Sequence, residues 1–313
     1  MAAFYRLSGV LLASALPLPA AAATPSPGER ALTFHLAPTS SLPGSLPPED
    51  AWELRGHGIA VGRGPEAFVV RLPGCADYWI DRRGASVIGV PVDDCPAETL
   101  AQLFLDQILP LALHLLGRFA FHASSVALGR RDLVGFLGQA GAGKSTLASS
   151  LARGAGDALF SDDCLAVEAA GTDLVAHPSY ASTRLWPASA QAVFADRGAL
   201  PLASPRTEKL RAALPLTEGP LPLRRLYLLE SAEGAPSINR LRPRDALVAV
   251  AGHLYRLDPT DRVRLAAELD LLEQVVTRVP VATLAYPRDF AALPAVRAAI
   301  LADLGEPPLT PRG

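Results

Sequence analysis

Residues 138–145 read Gly-Gln-Ala-Gly-Ala-Gly-Lys-Ser, the full G-x-x-x-x-G-K-[ST] spacing of a phosphate-binding loop. Glycines at 138, 141 and 143 let backbone N–H groups close around phosphate oxygens at φ values that a side chain would resist. Lys144 is placed to reach the β- and γ-phosphates, and the Ser145 hydroxyl is placed to ligate Mg²⁺. Gln139, Ala140, Ala142 and Thr146 complete the cradle. ATP with Mg²⁺ is the ligand expected of this run. Eighteen positions after Lys144 stands Asp162-Asp163, at the end of the apolar run Ala158-Leu159-Phe160. A carboxylate at a strand tip beside such a loop can hold the metal, or it can accept the proton of an attacking hydroxyl. Two adjacent aspartates allow one job each; the bland alternative is an Asx turn that ends the strand.

Other residues qualify more weakly. His122 lies in Phe121-His122-Ala123-Ser124-Ser125, and a lone histidine in an apolar strand is more often structural. Arg184 and Lys209 are the remaining candidates for neutralising phosphate charge in a transition state, Arg184 ahead of Lys209. Glu168 and His177 are near enough in sequence to belong to the site, with nothing to select them.

The loop works only where a strand turns into a helix. Asp132 to Leu137 is apolar and strand-like, and Ser145 to Arg153 is rich in helix formers. A strand over 119–128 precedes them, joined by the turn Gly129-Arg130-Arg131. Further strands are expected at 158–161, 165–167, 174–176, 223–229, 237–241 and 281–286. Helices are expected at 144–153, 243–252, 260–277 and 288–303. This alternation predicts an α/β domain with a sheet covered by helices. Before it, residues 1–95 show only short β-type runs, at 4–7, 67–72, 78–81 and 85–90, with 24–52 reading as loop. A periodic helix begins at Pro96 and runs to Leu116, kinked at Pro110. The division expected is a β-rich domain over 1–95 and a phosphate-loop domain over 96–313.

Composition narrows the class. Of 313 residues half are hydrophobic and 19% are charged, with a net charge of −2, a globular balance. Near-neutral charge predicts neither nucleic acid nor an anionic membrane as partner. The basic pairs Arg82-Arg83, Arg130-Arg131 and Arg224-Arg225 read as solvated turns. Cys75, Cys95 and Cys164 lack the spacing of a disulfide framework or a zinc site and read as reduced thiols. Residues 1–24 carry one arginine, an apolar stretch and Ala21-Ala22-Ala23, features of an export signal. Ser8, Gly9, Ser14, Pro17 and Pro19 interrupt that stretch, and ATP chemistry needs the cytoplasm, so a cytoplasmic chain is expected.

Taken together, residues 119–168 resemble the catalytic domain of the HPr kinase/phosphorylase family. The shared order is a strand with His122, the phosphate loop, a helix ending at Arg153-Gly154, and Asp162-Asp163. The resemblance implies proton transfer assisted by Asp162 and His122, phosphate binding by Lys144, and a metal held by Ser145 and Asp163. Phe4-Tyr5-Arg6-Leu7-Ser8-Gly9 and Arg184-Leu185-Trp186-Pro187 resemble a subgroup of related proteins, some of which phosphorylate a serine of ribosomally made precursor peptides such as lasso peptides. Thr146 stands where the family commonly has glutamate, the interval from Arg153-Gly154 to the aspartates is two residues longer, and no glycine-rich Ile/Val stretch follows. These departures point to an acceptor other than HPr. The expectation is a cytoplasmic serine kinase acting on a peptide or protein, with a homo-oligomer compatible. A small-molecule kinase and a non-catalytic ATP-binding module are the alternatives.

Overall fold

The computed structural model describes residues 2–40, 42–54, 58–92, 94–129, 131–180 and 182–305. The chain forms two compact units: 1–120 with 204–207 and 255–261, and 121–203 with 208–254 and 262–313.

The first unit holds β1 (Ala3–Leu7), β2 (Val10–Ser14), β3 (Leu32–Leu36), β4 (Trp52–Leu54), β5 (Ala60–Arg63), β6 (Ala67–Leu72), β7 (Ala76–Asp81) and β8 (Ser86–Pro91). They make one sheet in the order β1-β2-β3-β8-β7-β6-β5-β4. The signal-like N-terminus supplies its edge hairpin, where Leu7 pairs with Val10 across Ser8-Gly9. Both loop residues have φ > 0, at 50° and 79°, the condition for a two-residue turn that matches strand twist. Leu7, Leu11 and Leu12 are buried. Within 24–52, expected to be loop, Leu32–Leu36 forms a strand parallel to both β2 and β8. Leu32 and Phe34 alternate into the core there, a period too short to stand out beside the surrounding prolines.

The apolar helix begins at α1 (Ala97–Leu103), continues through a π turn over 104–108, and ends as α2 (Leu109–Leu115). Pro110 explains the π turn. It has no N–H for the carbonyl of Asp106, which accepts instead from the Tyr255 hydroxyl at 3.3 Å, while Leu109 N–H reaches back five residues to Phe104. Phe104 stacks on Phe34 with ring centroids 3.9 Å apart.

β9 (Phe119–Phe121) and β10 (Ser124–Leu128) replace the single strand expected over 119–128. The break falls at His122, whose N–H leaves the sheet to bond the carbonyl of His253 at 2.7 Å. In the second unit follow β11 (Asp132–Leu137), α3 (Lys144–Leu151), β12 (Ala158–Ser161), β13 (Leu165–Ala170), β14 (Asp173–His177), β15 (Ser182–Leu185), α4 (Pro187–Phe194), β16 (Leu210–Ala213), β17 (Leu221–Ser231), β18 (Ser237–Arg240), α5 (Pro243–Ala251), α6 (Arg262–Arg278), β19 (Val281–Tyr286) and α7 (Leu293–Gly305). Arg130, in the turn before β11, lies outside the described residues.

The sheet is mixed. β10 is antiparallel to β11 and to β12, and β11, β17 and β19 are parallel. Strand β18 closes against β19. Leu147, Ala148 and Leu151 of α3 pack with Val126, Phe136, Val193, Phe194, Val296 and Ile300 in one core. Arg224-Arg225 is no solvated turn. Arg225 is buried within β17 and its Nε bonds Asp303 of α7 at 3.2 Å, while Tyr227 donates to the same carboxylate at 2.7 Å. An arginine facing inward from a strand needs such a pair, because an uncompensated buried charge is costly. Among the described residues no helix is long and apolar enough to cross a membrane.

Candidate functional site

The parallel strand β11 ends at Leu137 and the chain enters the loop through Gly138. Gly141 and Gly143 take left-handed φ of 79° and 87°, and Gly143 caps α3 from that conformation. The helix N-terminus therefore opens directly on the loop, with N–H groups free of intrahelical partners. Gln139, Ala140 and Gly141 are exposed, whereas Lys144 is only 6% exposed. Its ammonium curls over the loop and donates to the carbonyls of Gly138 at 2.8 Å and Gln139 at 3.3 Å. Burial lowers the Lys144 pKa, with Asp163 and Asp162 acting the other way. Thr146 turns elsewhere, donating to Ser189 of α4 at 3.0 Å.

Asp162 and Asp163 follow β12, beside the start of β10, because Ser125 registers with Ser161 across that antiparallel pair. Asp162 is 2% exposed. Its carboxylate accepts from Ser124 at 2.6 Å and Thr183 at 2.7 Å, and the nearby Ser145 hydroxyl also favours its ionised form. Burial, then the charge of Asp163, raises its pKa above the usual carboxylate range despite those bonds. Asp163 adopts φ 64°, a left-handed value that aspartate tolerates better than most residues. Arg184 donates to its Oδ2 at 2.7 Å, and His122 Nε2 lies 3.5 Å from Oδ1. Burial would push Asp163 up, but the His122 bond and the charges of Arg184, His122 and Lys209 hold it well below the carboxylate range. Two adjacent carboxylates thus carry opposite shifts, the condition under which neighbouring acids take different tasks.

Arg184 comes from β15 and Lys209 from just before β16, a two-stranded ribbon in which Arg184 registers with Arg211. Lys209 Nζ lies 5.5 Å from the ring centroid of Trp186. Gly138–Ser145, His122, Asp162, Asp163, Arg184 and Lys209 therefore gather at one place. Glu168 and His177 bond each other at 2.8 Å on the β13–β14 hairpin.

Two residues at this place carry no signal in the local sequence. His253, after α5, receives the backbone bond from His122, and burial, then the charges of Lys144 and His122, lower its pKa. Arg288, just past β19, donates to the loop carbonyl of Ala142 and to the Tyr286 hydroxyl at 3.2 Å. The parallel pairing of β11, β17 and β19 puts Arg288 there; its only sequence cue is its position two residues after a strand end.

No family model matches the chain, and no curated protein matches it. Among solved structures it is similar to the Hpr(Ser) kinase/phosphatase from Coxiella burnetii, at 12% identity and a TM-score of 0.32, over 59% of this chain and 95% of that one. The likeness is distant.

Proposed function

We propose that the chain is an ATP- and Mg²⁺-dependent kinase that transfers the γ-phosphoryl group to a serine hydroxyl of a peptide or protein in the cytoplasm, a ribosomally made precursor peptide being the favoured acceptor. What supports this reading most is the buried Asp162 carboxyl beside the phosphate loop, whose charge acts with that of Asp163 on Lys144. A carboxyl of raised proton affinity next to a complete phosphate loop is the combination that phosphoryl transfer to an alcohol uses.

In this reading the loop N–H groups and Lys144 hold the phosphates. The acceptor hydroxyl gives its proton to the Asp162 carboxylate while its oxygen bonds the γ-phosphorus. The bond from that phosphorus to the bridging oxygen breaks, and ADP keeps the electron pair. Arg184 and Lys209 offset charge on the transferring group, and His122 with Arg184 keeps Asp163 ionised. The donor set suits a hard cation, with Ser145 and Asp163 supplying oxygen ligands and ATP the others. Bound there, Mg²⁺ would neutralise phosphate charge.

The test is phosphoryl transfer by purified protein with a panel of serine peptides and small alcohols, comparing the natural chain with Asp162→Asn. We expect peptide-dependent transfer, lowered about 10²–10⁴-fold in the variant with ATP binding kept. Transfer to small alcohols alone would move the acceptor class to small molecules. ATP binding without transfer in either protein would replace the kinase reading with a nucleotide-dependent switch.

A further inference from the structure

Cys75 and Cys95 are twenty residues apart, yet the first unit's sheet makes them neighbours. Cys75 ends the turn after Pro73-Gly74 and opens β7. Its carbonyl accepts from Val92 N–H at 2.9 Å, which carries the β7–β8 pairing one step beyond Ala76 and Pro91. Three residues on, Cys95 N–H bonds the carbonyl of Val92 at 3.3 Å and turns the chain back. The two thiols are then near enough for the charge of Cys75 to act on Cys95, and both residues are half-buried.

Arg206 braces the pair from a third segment of the same unit. Its guanidinium donates to the carbonyl of Gly74 and, at 3.1 Å, to that of Asp94, the residues immediately before each cysteine. The same group lies 3.8 Å from the Cys75 sulfur. Both backbones that a cross-link would join are therefore already held by one side chain. Partial exposure, proximity and a fixed backbone are what separate an exchangeable thiol pair from inert buried cysteines.

We propose that Cys75 and Cys95 are a dithiol modification site, closed to an internal disulfide by exchange with a small aliphatic disulfide. Cys75, beside the Arg206 guanidinium, attacks as the thiolate. It bonds one sulfur of the small disulfide and expels the other as a thiolate, which takes up a proton. Cys95 then loses its proton to solvent and displaces the second small thiol. Two protein S–H bonds give one S–S bond, and the external disulfide is reduced to two thiols. Burial, then the neighbouring Cys75, push Cys95 up to about 11, which suits it to the second, resolving step. Cys164 is 2% exposed and sits apart in sequence from both.

The test equilibrates the full chain with glutathione disulfide and glutathione at graded ratios, quenches with an alkylating agent, and reads intact mass and non-reduced peptide maps. The expected result is loss of two hydrogen masses, with the Cys75 and Cys95 peptides linked. Cys75→Ser and Cys95→Ser should each fail to lose those hydrogens and stop at a single glutathione adduct or a free thiol. Separate glutathione adducts on both cysteines of the natural chain, or no reaction at ratios that oxidise a free cysteine peptide, would overturn the proposal.

Discussion

At the scale of single residues, the acidic pair behaves as two groups of opposite sign. Asp163 is held low, so its contribution to stability is present above the unfolded value of about 4 and is lost as pH falls through the folded one. Asp162 is raised, so its ionisation costs stability as pH climbs through its folded value. Removing the charge of Asp163 leaves Arg184 without its 2.7 Å partner at a side chain only 16% exposed. We therefore expect Asp163→Asn to lower stability at neutral pH by about 1–3 kcal/mol. The gap from the natural chain should close in acid, below about pH 4. Denaturant titrations from acid to neutral pH check this, and a gap that ignores pH would sink it. Asp162→Asn, tested in parallel, should be no less stable than the natural chain at neutral pH. The two aspartates were legible in the sequence as a pair beside a loop. Their division of labour was not, because Arg184 and His122 reach Asp163 from separate strands while Ser124 and Thr183 reach Asp162.

At the scale of elements, the strand–loop–helix of β11 and α3 forms because its parts are contiguous and their hydrogen bonds local. Gly143 shows how little freedom that leaves. A Cβ on it would meet Arg288 at 3.3 Å and the Tyr286 hydroxyl at 3.5 Å, on a backbone at φ 87°. Gly141 has a similar φ of 79° but open space around it. Gly143→Ala should therefore cost more stability than Gly141→Ala, with a strain cost of about 1–2 kcal/mol and ATP affinity lowered roughly tenfold. Thermal melts and a nucleotide titration of both variants decide it; equal stability losses would show that contact with Arg288 is immaterial. Elsewhere, element boundaries departed from the pattern wherever a distant group intervened. The strand over 119–128 breaks because His253 takes the N–H of His122, and the helix over 97–115 widens where Pro110 leaves a carbonyl to Tyr255. The ribbon of β15 and β16 was missed: its four-residue strands, Ser-Thr-Arg-Leu and Leu-Arg-Ala-Ala, carry polar or charged residues among few apolar ones.

At the scale of the whole molecule, the first unit is not continuous in sequence. Residues 204–207 and 255–261 belong to it. Leu257 is fully buried there, and its N–H meets His114 Nδ1 at 3.5 Å, while Tyr255 N–H bonds the carbonyl of Ala120 at 2.9 Å. A fragment ending at Ala120 lacks these contacts and Arg206. It should melt well below the full chain or show no cooperative transition by circular dichroism; an intact, cooperative melt would show the returning segments to be dispensable. By itself the sequence determined the phosphate loop, the strand and helix that frame it, and the candidate residues His122, Lys144, Asp162 and Arg184. Those signals lie in runs of a few residues whose φ demands and hydrogen bonds are satisfied locally. Only the tertiary structure decided which charge meets which carboxylate, that His253 and Arg288 stand at the loop, and that Cys75 lies near Cys95. Those contacts depend on strand order and on segments that return from far along the chain, and such pairings leave no periodic mark on the residues that make them.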